Sequence, residues 1–169
     1  MTKRVILSWI GNSDMNAYRH SDVKDPGPLK RFVDAKKDDI EKLIIFSDFD
    51  TETNNFIDKW LKPSELSFKI EHIDCTGLKE AGAGVTDYNK IFEYVVDKCL
   101  DLQSESEKEN VLLGFHVTSG TGAMQSILLL LGHTIYPGVM YETSREQGVK
   151  EINLPVNVIA EPVITPSEY

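Results

Sequence analysis

The stretch Asn110-Val-Leu-Leu-Gly-Phe-His-Val-Thr-Ser-Gly-Thr-Gly-Ala-Met-Gln-Ser-Ile-Leu-Leu-Leu-Leu-Gly132 contains an apolar strand, a polar break and an apolar helix in direct succession. The break is formed by small hydroxyl residues and glycines. Such a turn leaves backbone N–H groups at the positive end of the helix dipole, where anions bind. The stretch therefore predicts a site for an anionic ligand, with a phosphate held by Thr118, Ser119, Gly120 and Thr121, beside Met124 and Gln125.

Strands and helices are predicted to alternate along the rest of the chain. The predicted strands are Val5–Ile10, Leu43–Phe46, Leu66–Ile73, Val111–Val117 and Ile135–Tyr141, with strand periodicity again over Lys150–Ile159. Helical spacing of apolar residues follows Pro28, Thr51, Asp87 and Gly122, whereas residues 11–27 resemble a long polar loop and Gln103–Glu109 a solvated one. This order predicts an α/β, Rossmann-like, open and mostly parallel sheet with helices on both faces.

Length, charge and cysteine content restrict the class of protein. The chain has 169 residues, 41% of them hydrophobic, and a formal net charge of −9. A single domain is expected, and the negative charge disfavours binding of long DNA or RNA through a broad basic surface. Cys75 and Cys99 lack the spacing of metal ligands or of a disulfide framework and are expected to be buried in a cytoplasmic protein. No apolar run is long enough for a signal peptide or a membrane span.

A second loop is expected at the same edge of the sheet. Ser8, Trp9, Gly11 and Asn12 end the first strand, and the ends of parallel strands form the ligand-binding edge of open α/β sheets. Two roles for Trp9 stay open, stacking on a base and packing in the core. These residues are expected to form one wall of the site, with Gln125 contacting a base or ribose.

Other candidate residues indicate weaker sites. Arg145 follows the fifth strand and could contact an anion or lie in a surface turn. Asp48 and Asp50 at a strand end are expected to be helix caps rather than metal ligands, and Asp74 at the same edge is an equally weak metal candidate. His20, His72, His116 and His133 have no ligand spacing, so no metal is expected. The glycines match neither the dinucleotide fingerprint nor the P-loop, and no nucleophile elbow surrounds Ser119. NAD binding, ATP hydrolysis in this domain and esterase chemistry are therefore disfavoured.

The first-strand sequence Val-Ile-Leu-Ser-Trp-Ile-Gly-Asn (residues 5–12) and the turn Val-Thr-Ser-Gly-Thr-Gly-Ala-Met-Gln (residues 117–125) resemble those of CARF domains, the CRISPR-associated Rossmann folds. Ser144–Gly148 and the Leu-Pro-Val-Asn-Val-Ile tail (residues 154–159) extend the likeness to the sensor domains of RtcR-like, sigma-54-dependent regulators of RNA-repair operons. Many CRISPR-associated members carry Lys or Arg where this chain has Gly122.

The resemblance implies a homodimer whose paired strand edges bind cyclic oligoadenylate or an RNA end with a terminal or cyclic phosphate. It implies that residues 1–162 form the sensor and that 163–169 lead toward an AAA+ domain absent from this chain. ATP and Mg²⁺ would bind only in that domain, which would act with sigma-54 RNA polymerase and DNA. Two alternatives stay open: a ring nuclease that cleaves cyclic oligoadenylate, and a dimerisation module without a ligand.

Overall fold

The computed structural model of the protein describes residues 2–20, 24–61, 68–80, 84–105 and 111–155. Strands occupy Arg4–Trp9 (β1), Ile40–Ser47 (β2), Lys69–Asp74 (β3), Leu113–His116 (β4), Gly138–Ser144 (β5) and Gly148–Glu151 (β6). Helices occupy Asn12–Arg19 (α1), Pro28–Lys36 (α2), Thr51–Leu61 (α3), Tyr88–Glu105 (α4) and Gly122–His133 (α5). Short 3-10 helices follow α2 and β3, at Lys37–Asp39 and Thr76–Lys79.

The strands form one sheet in the order β3-β2-β1-β4-β5-β6. All neighbouring pairs are parallel except β5–β6, which is an antiparallel hairpin. Ser8 of β1 is level with Ile45 of β2 and with His116 of β4. The predicted Rossmann-like, mostly parallel sheet is confirmed, and β3 lies at the sheet edge that its half-exposed pattern indicates.

Apolar residues fill both faces of the sheet. On one face, alternate residues of β1, β2 and β4 pack against α4 and α5; on the other face, the intervening residues pack against α1, α2 and α3. Burial on both faces explains why β1 and β2 are nearly continuous apolar runs, since helices cover parallel strands on each side. Cys75 and Cys99 are free and buried in the first of these cores, as the sequence predicts.

Helix α1 replaces the first part of the predicted polar loop, and that expectation was wrong. Its eight residues bury only Asp14 and Met15, so the sequence shows no apolar periodicity there. Hydrogen bonds to a buried side chain, rather than an apolar face, hold this helix in place. The Asp14 carboxylate accepts hydrogen bonds from the backbone N–H of Gly11 (3.1 Å) and of Leu29 (2.8 Å), which joins the start of α1 to the start of α2.

Two further boundaries differ from the predictions. Helix α4 continues through Gln103 to Glu105, and β5 begins at Gly138 rather than at Ile135. A turn closes α5 first, because Tyr136 N donates a hydrogen bond to Leu131 O at 2.9 Å. Strand β5 then extends to Ser144 because its last residues pair with β6.

Some predictions lie outside the described residues. These are the start of the third strand at Leu66, the loop residues 106–109, the tail strand beyond residue 155 and the linker 163–169. Within the described ranges, none of the helices combines the length and the apolar character that crossing a bilayer requires.

Candidate functional site

The loops that follow β1 and β4 meet where the chain reverses its direction across the sheet. The chain runs from β1 to β2 on one side and from β4 to β5 on the other, so these neighbouring strands define the switch point at which open α/β sheets bind ligands. Helices α1 and α5 both begin there. A cavity of about 420 Å³ lies between their N-termini.

Two glycines bring the two loops into backbone contact. A Cβ built on Gly11 would lie 2.6 Å from the backbone N of Gly120, closer than real Cβ atoms approach any atom. Gly120 has a φ of +94°, and its own Cβ would lie 2.8 Å from Met124 Sδ. Both positions therefore require glycine, because one lacks space and the other combines lack of space with left-handed backbone geometry.

Hydrogen bonds within the Thr118–Gln125 turn hold its shape. Thr121 caps α5: its Oγ1 accepts from Met124 N (3.4 Å) and donates to Val85 O (2.7 Å). Gln125 Nε2 donates to Thr118 O (2.9 Å) and Gly120 O (3.0 Å). The Gln125 side-chain nitrogen is thus occupied by the turn, which it helps to hold in shape.

The Ser119 hydroxyl, unlike the side chains of Thr121 and Gln125, does not hold the turn together by hydrogen bonds to the backbone. The residue is 1% exposed and lines the cavity, yet its Oγ forms no well-aligned hydrogen bond among the described residues. It lies close enough to Asp14 to help hold down the pKa of that carboxyl. Burial, the dominant effect, raises that pKa, and the Leu29 and Gly11 N–H groups oppose the rise. The Ser119 hydroxyl therefore lies between the Asp14 carboxyl and the cavity, where a ligand would be within its reach.

Ser8 and Trp9 do not form the wall that the sequence predicts. Both are 0% exposed. Ser8 Oγ lies 2.9 Å from His116 Nδ1 on the face covered by α2, and Trp9 stacks on Phe46 on the opposite face, with ring centroids 5.2 Å apart. Trp9 therefore packs in the core. The side chains of a strand alternate between two buried faces, and only the residues after the strand reach the edge.

Arg145 also lies apart from the residues that line the cavity. It belongs to the β5–β6 turn, and its Nε pairs with Asp25 Oδ2 at 2.5 Å. The same Asp25 carboxylate pairs with Arg31 of α2. The side chain of Arg145 therefore ties the hairpin to the residues before α2.

Eight of the eleven residues predicted for the site line this cavity: Gly11, Asn12, Thr118, Ser119, Gly120, Thr121, Met124 and Gln125. The lining also includes Pro28, Phe49, Lys79 and Val85, which the sequence did not identify, and Asp48, which the sequence predicts to cap a helix. Asp50, rather than Asp48, caps α3, since its Oδ1 accepts from Thr53 N at 2.7 Å. No group of three or more potential metal-binding side chains is present among the described residues.

Comparison with known proteins gives a structural likeness only. No family model and no curated protein matches the sequence. Csm6 of Enterococcus italicus, solved with cyclic hexa-2'-fluoro-hexa-dAMP bound, has a TM-score of 0.58 at 15% identity, with 89% of this chain and 36% of Csm6 covered. The fold is CARF-like. The Vibrio cholerae protein VC1899 has a TM-score of 0.55 at 10% identity, with 88% of this chain and 33% of VC1899 covered, so this chain spans about a third of either protein.

Proposed function

We propose that this CARF-like chain is a sensor domain whose cavity binds a small nucleotide carrying phosphate, of the cyclic oligoadenylate class or an RNA end with a terminal or cyclic phosphate. The observation that carries the proposal is the convergence of two helix N-termini on one cavity at the switch point of the sheet. Helix N-termini bind phosphate through free N–H groups and the helix dipole. The hydroxyl of Ser119, which lines the same cavity beside Asp14, adds a further polar group there.

The chain has a net charge of −9, so binding of an anion depends on positive groups at the cavity itself. A helix dipole contributes only about 0.3–2 kcal/mol to anion binding, so further contacts are needed for micromolar affinity. Lys79 supplies one: its ammonium lies in the cavity lining, 3.7 Å from Asp48 Oδ2 and 5.0 Å from the Phe49 ring centroid. At Gly122, by contrast, this chain lacks the cation that many CRISPR-associated domains have.

Csm6, whose fold this chain shares, was solved with a modified cyclic hexa-adenylate bound. This supports cyclic oligoadenylate as the first ligand class to test here. Binding would shift the populations of conformations in an attached effector domain, which the likeness to RtcR-like regulators suggests is a sigma-54-type AAA+ activator using ATP and Mg²⁺.

The active form is proposed to be a homodimer. Helices α4 and α5 pack side by side, and together they carry four large apolar side chains that are each more than a third exposed: Tyr88, Phe92, Leu100 and Leu130. Large apolar side chains grouped on one face mark interaction surfaces. The resemblance to CARF domains implies that the strand edges of the two copies pair, so that two cavities together hold a ring-shaped ligand.

Calorimetric titration with four probes tests the ligand class: cyclic tetra-adenylate, cyclic hexa-adenylate, RNA with a 3′-phosphate and RNA with a 2′,3′-cyclic phosphate. At least one is expected to bind, and Ser119→Ala is expected to weaken that binding about fivefold, the cost of one hydrogen bond. Ser104→Ala on the exposed end of α4 is the matched control and is expected to bind normally.

The result that contradicts the proposal is a folded dimer that binds none of the four probes, which would favour the dimerisation module. Chromatography of the incubated rings supplies a second readout. Intact rings are expected, whereas linear products would identify a ring nuclease instead of a sensor.

A further inference from the structure

The cavity has two chemically different ends. At the end near α5 its lining is rich in hydroxyl and backbone N–H groups, which suit a phosphate. At the other end, the loops after β2 and β3 contribute Asp48, Phe49 and Lys79. The Asp48 carboxylate itself repels phosphate, so it requires a different chemical group from the ligand, whereas Lys79 beside it attracts the negatively charged ligand as a whole.

Asp48 is buried without the hydrogen bonds that a buried carboxylate normally has. It is 8% exposed, and its contact with Lys79 Nζ, at 3.7 Å, is an ion pair too long for a hydrogen bond. Among the described residues no donor bonds to its oxygens. In contrast, Asp50 and Asp74 at the same edge accept hydrogen bonds from backbone N–H groups. The Asp48 carboxylate is therefore a strong acceptor that opens onto the cavity.

The position of Asp48 in the sheet indicates which donor it accepts from. It directly follows β2, the neighbour of β1, and an acidic residue at this place in dinucleotide-binding α/β folds accepts a hydrogen bond from a ribose hydroxyl. Adjacent strands lie roughly 5 Å apart, so one nucleotide can contact both the N-terminus of α1 after β1 and the carboxylate after β2.

We infer that Asp48, held between the cavity and Lys79, is a ribose-binding residue that selects ligands with a free 2′-hydroxyl. This rests on the proposed function and deepens it, because it divides the cavity into a phosphate end and a sugar end. Lys79 balances the charge of Asp48, and Phe49 holds the Lys79 ammonium over its ring. The domain would therefore distinguish ribonucleotide rings from rings that lack the 2′-hydroxyl.

The test is calorimetric titration of the wild-type chain with cyclic hexa-adenylate and with cyclic hexa-2'-fluoro-hexa-dAMP. A hydrogen bond to a charged group corresponds to about 10- to 100-fold in affinity, so the hydroxyl-bearing ring is expected to bind tighter by that factor. Asp48→Ala is expected to remove the preference by weakening only the hydroxyl-bearing ring. Asp48→Asn, which keeps the shape and one acceptor oxygen, is expected to retain part of it.

Asp50→Asn is the matched control, because it removes one negative charge from the same edge but not from the cavity, and it is expected to keep the full preference. Equal binding of the two rings by the wild-type chain overturns the ribose assignment alone. An unchanged preference in Asp48→Ala overturns it as well. Failure of both rings, and of the RNA probes, to bind at all overturns the proposed function together with this inference.

Discussion

At the scale of the residue, a buried imidazole joins three strands. His116 Nδ1 lies 2.9 Å from Ser8 Oγ of β1, and its Nε2 lies 3.1 Å from Thr143 Oγ1 of β5. The Phe32 ring covers it, with ring centroids 4.8 Å apart. Both ring nitrogens have partners and water is excluded, so the hydrogen bonds of these three side chains are satisfied within the core. They align the strands that end at the cavity.

Burial lowers the pKa of His116 to about 3, which makes stability depend on pH. The unfolded chain takes up a proton near the ordinary pKa of about 6.5, whereas the folded chain stays neutral until the pH approaches 3. Stability is therefore expected to fall as the pH drops through this window, by about 2 kcal/mol between pH 7 and pH 5 from this residue. Urea unfolding across this range measures the effect.

His116→Gln separates this contribution from those of the carboxyl groups. The variant lacks a titrating group at position 116, so its stability is expected to change less with pH than that of the wild-type chain. NMR titration of the His116 ring in the wild-type chain is an independent measurement. A ring that protonates near pH 6 in the folded state would contradict the prediction.

Lys79 is expected to contribute through its charge. Lys79→Ala should weaken binding of a phosphate-bearing ring about fivefold and should lower the dependence of affinity on salt, because one cation leaves the cavity. Lys90→Ala, a similarly exposed lysine on α4, is the control and should change neither quantity. Adding Gly122→Lys to Lys79→Ala should restore affinity, since a Cβ at Gly122 has open space around it. Salt dependence unchanged by Lys79→Ala would contradict this role.

At the scale of the element, the contact between the β1 and β4 loops depends on glycine. Gly11→Ala is expected to destabilise the fold by about 1–3 kcal/mol, the usual cost of forcing an extra methyl group into filled space, and to weaken ligand binding as the loops separate. Gly122→Ala, in the same α5 turn but with no atom within 4 Å of its Cβ, is the control and should be close to neutral. Thermal unfolding of both variants measures the difference, and equal stability would contradict it.

The sequence predicts an element when apolar burial holds it and misses it when buried polar contacts do. Apolar periodicity identifies β1, β2, α4 and α5, because these elements are held by burial. Helix α1 is missed because the buried polar contacts of Asp14 hold it, and such contacts leave no periodic pattern. Asp48 and Asp50 are two residues apart and indistinguishable as sequence, yet one faces the cavity and the other caps α3. The turn at residues 118–125 is found because glycine and hydroxyl residues interrupt two apolar runs.

At the scale of the whole molecule, the apolar surface on α4 and α5 predicts self-association. Phe92→Glu with Leu130→Glu is expected to convert a dimer to a monomer in sedimentation analysis, because burying two unpaired carboxylates costs more than the interface gains. Phe56→Glu is the control: this residue is 45% exposed on α3, which covers the opposite face of the sheet. A wild-type chain that is monomeric at micromolar concentration, with and without ligand, would contradict the prediction.

The mutual contact of Gly11 and Gly120 also bears on how relatives of this domain can be recognised. Gly11 cannot acquire a side chain unless the loop after β4 retreats, and Gly120, more than a hundred residues later, has neither the space nor the backbone conformation for one. Sequence identity to the two solved structures is only 10–15%, which is too low for a comparison of whole sequences to detect the relationship. A search pattern restricted to a glycine after the first strand and a Thr-Ser-Gly turn after the fourth would instead follow a close backbone contact at the cavity, and is expected to collect distant homologues for alignment.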